Sequence, residues 1–174
     1  KNVLPAARGY RPFASLTELS GAATARLRGI YATKLNDSTV LSFAGDEDDL
    51  YKLNTSTFAL DSINSGYTMT EDTYWKFVRF GDEVIAAGND TDSLQGFTVG
   101  TDSAFATVSG APAARELAVI RDFVVTGNVS YSGGTHRSRV RWSAINDATS
   151  WTIGTNQADF QDIPDAGQIT GLVG

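Results

Sequence analysis

Three arginines at alternate positions, Arg137, Arg139 and Arg141, form the densest charge pattern in the chain, and its one histidine, His136, stands directly before them. On a strand, a spacing of two places all three guanidinium groups on one face with Val140 and Trp142 on the other, giving a basic outer face and an apolar inner one. Such a row either protects an edge strand against mispairing or contacts an acidic neighbour or DNA phosphates. The preceding segment, Tyr131-Ser132-Gly133-Gly134-Thr135-His136, reads as a flexible tip inserted between two strands. Tyr131, His136, Arg137, Arg139 and Arg141 are therefore the candidate interface residues.

Other chemistry finds little support. A Ser-His-Asp arrangement can be built only around His136, and a Gly-rich tip does not hold an imidazole in the fixed geometry a general base requires. One histidine also excludes a two-histidine metal site within the chain, and the absence of cysteine removes thiolate nucleophiles, disulfides and cysteine-ligated metals. Asp46-Glu47-Asp48-Asp49 and Asn89-Asp90-Thr91-Asp92 occupy equivalent turns, where alternating oxygens can hold a hard cation. Neither has the glycine and glutamate placement of the twelve-residue calcium loop, so both read as solvated turn charges. A glycosidase would need two carboxyl groups about 5 to 10 Å apart, which sequence spacing does not establish. Gly127-Asn128-Val129 and Ser132-Gly133-Gly134 lack both the dinucleotide fingerprint and the phosphate-loop lysine. Trp75, Phe77, Trp142 and Trp151 alternate with polar residues on strand-like stretches and read as core; exposed, they would form a sugar-stacking platform. No catalytic, cofactor-binding or metal-binding residue is assigned, and no cofactor is expected.

The charge narrows the partners. Fourteen basic and twenty acidic residues give a net charge of −6, most of it before Arg115. A protein that grips nucleic-acid phosphates needs a basic face, so tight sequence-independent DNA binding is disfavoured, whereas an acidic wall along which DNA passes without being retained is compatible with it. No apolar stretch is long enough to span a bilayer and Lys1 to Pro12 lacks the hydrophobic centre of a secretory signal, so no membrane partner is expected.

The elements that must carry these residues are strands. Seventeen glycines, four prolines and abundant Thr, Ser, Val, Phe and Tyr favour an all-β chain. A loosely repeated unit marks its organisation: VLSFAGD at Val40 to Asp46, VIAAGN at Val84 to Asn89 and FVVTGN at Phe123 to Asn128 each end an apolar strand in Gly plus a short acid or amide. Gly45, Gly88 and Gly127 lie 43 and 39 residues apart. A period of about 40 residues built from short strands is that of β-propeller blades.

The expected fold is a partial β-propeller of about three four-stranded blades behind an extended N-terminal arm at residues 1–25. The first blade (26–66) has strands at Leu27 to Leu35, Thr39 to Gly45, Leu50 to Leu53 and Phe58 to Ile63. The second (74–109) has them at Trp75 to Phe80, Glu83 to Gly88, Leu94 to Val99 and Ala104 to Val108. The third (115–154) has them at Leu117 to Ile120, Phe123 to Val129, Arg137 to Ser143 and Trp151 to Ile153, and a fourth unit starts at 165–174. A ring needs roughly four to eight blades, so the chain is expected to be part of a longer protein.

The opening Asn2-Val3-Leu4-Pro5 with Gly9-Tyr10-Arg11-Pro12-Phe13, the blade starts RLRGIYAT and ELAVIRDFVVTG, the segment RVRWSAINDATSWT and the closing ADFQDIPDAGQITGLVG resemble the tail-hub or nozzle proteins of short-tailed bacteriophages. The resemblance spans nearly the whole chain. It implies a non-enzymatic virion protein without cofactor, copies of which form a homo-oligomeric ring, usually hexameric, that extends the portal and adaptor channel through which the genome leaves. The partners it implies are the tail adaptor, other virion tail proteins and DNA in passing. A carbohydrate- or receptor-binding propeller module is the alternative, and it requires exposed indoles at Trp75 or Trp151.

Overall fold

The structure, a computed structural model, describes residues 3–13, 17–165 and 167–174; the expected arm at Lys1, Asn2 and 14–16 and position 166 of the fourth unit lie outside the described residues. The described residues contain fourteen strands and no helix. β1 (Val3–Ala6) and β2 (Gly9–Pro12) pair as an antiparallel hairpin, so the arm expected to be merely extended is a two-stranded ribbon. Its prolines are tolerated because both strands are edges.

Twelve strands build three antiparallel meanders of four, each in simple sequence order. Sheet I holds β3 (Gly29–Lys34), β4 (Val40–Gly45), β5 (Asp49–Leu53) and β6 (Leu60–Ser65). Sheet II holds β7 (Lys76–Phe80), β8 (Glu83–Ala87), β9 (Gln95–Thr98) and the two-residue β10 (Ala106–Thr107). Sheet III holds β11 (Ala113–Ile120), β12 (Phe123–Tyr131), β13 (Gly134–Trp142) and β14 (Asp159–Asp162).

The period of two along β8 decides how the sheets stack. Val84 and Ala86 join Phe43, Leu50, Trp75, Phe97 and Phe105 in a core between sheets I and II. Ile85 and Ala87 point the other way and join Ala114, Leu117, Val124, Val129 and Trp151 in a core between sheets II and III. Sheet II is thus buried on both faces, which is why VIAA reads as a continuous apolar run rather than an alternating one. Each large side chain placed in these layers contributes about 1.5 to 3 kcal/mol of transfer free energy. The first strands lie together: β7 contacts both β3 and β11.

Three expectations need correction here. Trp151 to Ile153 is not a strand. Trp151 turns into the core at 1% exposure with its indole N–H donating to the Ala148 carbonyl, and β14 supplies the fourth strand instead, pairing Phe160 with Arg141 and Asp162 with Arg139. The segment Tyr131 to His136 is not an inserted flexible tip. β12 and β13 run on to a two-residue turn in which Ser132 and Gly133 both have left-handed φ, 53° and 79°, the type that matches strand twist. The fourth unit forms no strand over 167–174. Ile169 donates its N–H to the Arg137 carbonyl, and Ile169 and Leu172 lie on Gly127, so this segment is held as a cover on sheet III.

Candidate functional site

The Gly-plus-acid marker places Asp46 and Asn89 just beyond the ends of β4 and β8 and Asn128 at the bulge within β12, each bonded differently. Asp46 is fully buried: one carboxylate oxygen accepts the N–H groups of Asp48 (3.0 Å) and Asp49 (2.8 Å), the other the Tyr51 hydroxyl (2.7 Å) and the Ala25 N–H (3.0 Å). Burial acts to raise its pKa, but the Asp49 and Asp48 N–H donors with the Tyr51 hydroxyl outweigh it, and the carboxyl titrates below the ordinary aspartate range. Asp46 is therefore no solvated turn charge; it ties residues before β3 to sheet I.

Asn89 does the same work in sheet II. Its side-chain oxygen accepts from the N–H groups of Thr91 (2.9 Å) and Asp92 (2.7 Å), while its amide donates to the Thr68 carbonyl (3.0 Å) and the Asp92 carboxylate (2.6 Å). Asn128 in sheet III has a left-handed φ of 53° and donates weakly to the Ile169 carbonyl at 3.5 Å; its side-chain oxygen is buried with no partner among the described residues. Asn is among the residues that tolerate that backbone region best.

Charged residues join neighbouring sheets. Arg115, on β11, clasps Asp90 through Nε (2.7 Å) and Nη2 (3.0 Å) and reaches Asp72 through Nη1 (3.1 Å). The Asp90 bonds raise its pKa, and Asp72 in turn titrates low because the Thr70 hydroxyl and then Arg115 favour its charged form. Lys76 on β7 pairs with Glu116 on β11. Arg28 donates to the Thr70 carbonyl at 2.7 Å and Arg79 to the Lys34 carbonyl at 2.7 Å. These bonds span 25 to 45 residues of sequence, and no local pattern in the chain announces them.

The arginine row does not face outward as one stripe. Gly127 pairs with Val140 and Val129 with His136, so a single residue of β12 opposes Arg137, Ser138 and Arg139, and this bulge breaks the alternation. Arg137 is exposed and donates to the Gln168 side chain at 2.9 Å. Arg139 forms a bidentate pair with Asp162 (2.7 and 2.8 Å) and stacks on Phe160 at 4.0 Å. That pairing raises the Arg139 pKa and lowers that of Asp162.

Arg141 is 1% exposed, the opposite of the outer position expected for it. Its guanidinium stacks 3.8 Å from the Tyr131 ring and donates to the carbonyls of Trp151 (2.6 Å) and Gly110 (3.2 Å), while Nε and Nη1 have no partner among the described residues. Burial pushes its pKa down. Tyr131 is 37% exposed and caps this cation, and His136 is half-buried on β13 opposite Val129.

Beside the hairpin lies an open cleft of about 520 Å³ whose lining includes Asp90, Ser93, Ser130, Tyr131, Ser132 and Thr135. Its one carboxylate, Asp90, is already held by Arg115. Trp75 and Trp151, at 5% and 1% exposure, offer no stacking surface for a sugar. Asp46, Asn89, Arg115 and Arg139 are thus engaged in joining strands and sheets, whereas Nε and Nη1 of Arg141 and Oδ1 of Asn128 keep no partner among the described residues. No protein-family model and no curated protein sequence matches this chain.

Proposed function

We propose that this chain is a structural component of a bacteriophage tail, a part of the hub or nozzle ring that extends the portal-adaptor channel for genome passage. In this reading the three meanders are consecutive propeller blades, with β3, β7 and β11 as the inner strands nearest the axis. The observation that carries the reading is the serial stacking of the sheets: β7 touches the first strand of the sheet on either side, and sheet II packs both faces against neighbours. The placement of the charges supports a scaffold, because Asp46, Arg115, Arg139 and Arg141 are committed to internal bonds.

The assembly proposed is a homo-oligomer, hexameric by the resemblance drawn from the sequence, with the tail adaptor and other virion tail proteins as neighbours and DNA in passing contact only. The acidic chain would repel the genome rather than retain it. The chain catalyses no reaction in this reading and resides in the virion. Electron microscopy of tails carrying the labelled protein, with mass measurement of the purified full-length protein, tests it. Label at the tail axis and a closed oligomer are expected. A protein that stays monomeric and is missing from particles overturns it.

A further inference from the structure

Arg141 is 1% exposed, yet no ion pair among the described residues includes it. Nη2 alone is bonded, to the carbonyls of Trp151 and Gly110, while Nε and Nη1 meet no acceptor among those residues. An arginine does not shed its proton to escape burial, so a guanidinium left in this state calls for an anion.

The side chain lies along sheet III toward a cleft. Arg141 is opposite Thr126 in register, but its guanidinium stacks on the ring of Tyr131, which stands further along β12 at the hairpin turn. Tyr131 and Gly110, whose ring and carbonyl it touches, both line the open cleft of about 520 Å³ beside that hairpin. Ser93, Ser130, Ser132 and Thr135 add side-chain hydroxyls to the lining, and the carboxylate of Asp90 is already neutralised by Arg115. A pocket of this volume suits a small molecule. Hydroxyls, an aromatic ring and a cation without a counter-charge select a ligand that is both polyhydroxylated and anionic.

We propose that the cleft binds an acidic sugar of the hexuronate class, whose carboxylate accepts from the free N–H groups of Arg141. The Tyr131 ring turns off the guanidinium to admit the carboxylate and then packs against the C–H face of the sugar, while the Ser and Thr hydroxyls bond its hydroxyl groups. The site is complete within one copy of the chain and does not depend on the assembly proposed above.

Calorimetric titration of the full chain with glucuronate, glucose and acetate tests it, beside an Arg141→Lys variant and a Thr135→Trp variant that fills the cleft from an exposed position. Glucuronate should bind at a single site. Glucose, which leaves the guanidinium unmatched, and acetate, which leaves the hydroxyls unmatched, should each bind about tenfold or more weakly, and Arg141→Lys should weaken glucuronate by as much. Thr135→Trp should abolish binding while keeping the parent's thermal unfolding curve, so the result does not hinge on how well Arg141→Lys folds. In the parent, the guanidinium NMR signals of Arg141 should shift on adding glucuronate. No binding of glucuronate up to about 10 mM overturns the site. Equal binding of glucose, or unmoved Arg141 signals, overturns Arg141 as the group that reads the ligand, and equal binding of acetate overturns a sugar as that ligand. Binding that survives Thr135→Trp places glucuronate elsewhere and overturns the cleft.

Discussion

The indole nitrogen of Trp75 donates to the backbone carbonyl of Asp46 at 2.8 Å, while the same ring lies so close over Gly45 that a Cβ there would collide with its Cδ1. One residue from the link between sheets I and II thus locks onto the Gly-Asp pair that ends β4. In sheet III the tail repeats the approach with different side chains, Ile169 and Leu172 over Gly127. Glycine recurs in the marker at these two positions because a neighbour occupies the space of its side chain.

Gly45→Ala should therefore destabilise the chain by about 1 to 3 kcal/mol, the usual cost of overpacking a rigid contact. Gly21→Ala, where an added Cβ meets nothing within 4 Å, is the control and should leave urea unfolding nearly unchanged. An equal response from both variants would remove the Trp75 contact as the reason for Gly45.

Asp46→Ala should cost about 3 kcal/mol, because buried N–H donors lose their acceptor. Its pH dependence has a defined sign. The folded-state pKa lies below the ordinary 3.8, so the carboxylate contributes its stabilisation above that value and loses it as pH falls through the folded pKa. Acid titration of the parent should show stability declining below about pH 4, and the Asp46→Ala variant should show a shallower decline.

Arg115→Met should loosen the join between sheets II and III by about 1 to 2 kcal/mol, since it leaves Asp90 and Asp72 without their cation at a partly exposed site. The loss should shrink as salt rises, because screening already weakens the pair in the parent. A salt-independent loss measured by denaturant unfolding would mean that packing of the arginine stem dominates.

Arg141→Lys should destabilise by about 2 kcal/mol even though the charge is kept. A lysine cannot spread a planar cation over Tyr131 while bonding the carbonyls of Trp151 and Gly110. Arg137→Lys, at the exposed contact with Gln168, should fall within about 0.5 kcal/mol of the parent in thermal unfolding.

Much of the fold could be read from the chain. The strands expected at Thr39 to Gly45 and Glu83 to Gly88 are β4 and β8 to within a residue, because alternating or continuous apolar runs end there in Gly and an acid or amide. The misreadings cluster in sheet III. Trp151 is aromatic like a strand residue, but a loop buries it, and Asp159 to Asp162 holds a single apolar residue and so carries no alternation to mark the strand that it forms. The candidate interface was legible as residue types and not as geometry: Arg139 and Arg141 keep an unbroken register against β14, but Tyr131 and Trp151 bury Arg141 while Arg139 pairs with Asp162, and the bulge between Gly127 and Val129 lies only at Arg137 to Arg139.

Local chemistry in the sequence, its strand periods, turn formers and recurring glycines, determined the all-β class and the strand order of sheets I and II, because those signals act between residues close along the chain. Which charges are buried or paired, and which glycine lies under which indole, was decided only when distant segments met. Arg115 with Asp90, Arg141 with Tyr131 and Trp75 with Gly45 are contacts whose energy depends on desolvation and close approach, and both arise from the packing of one sheet on the next.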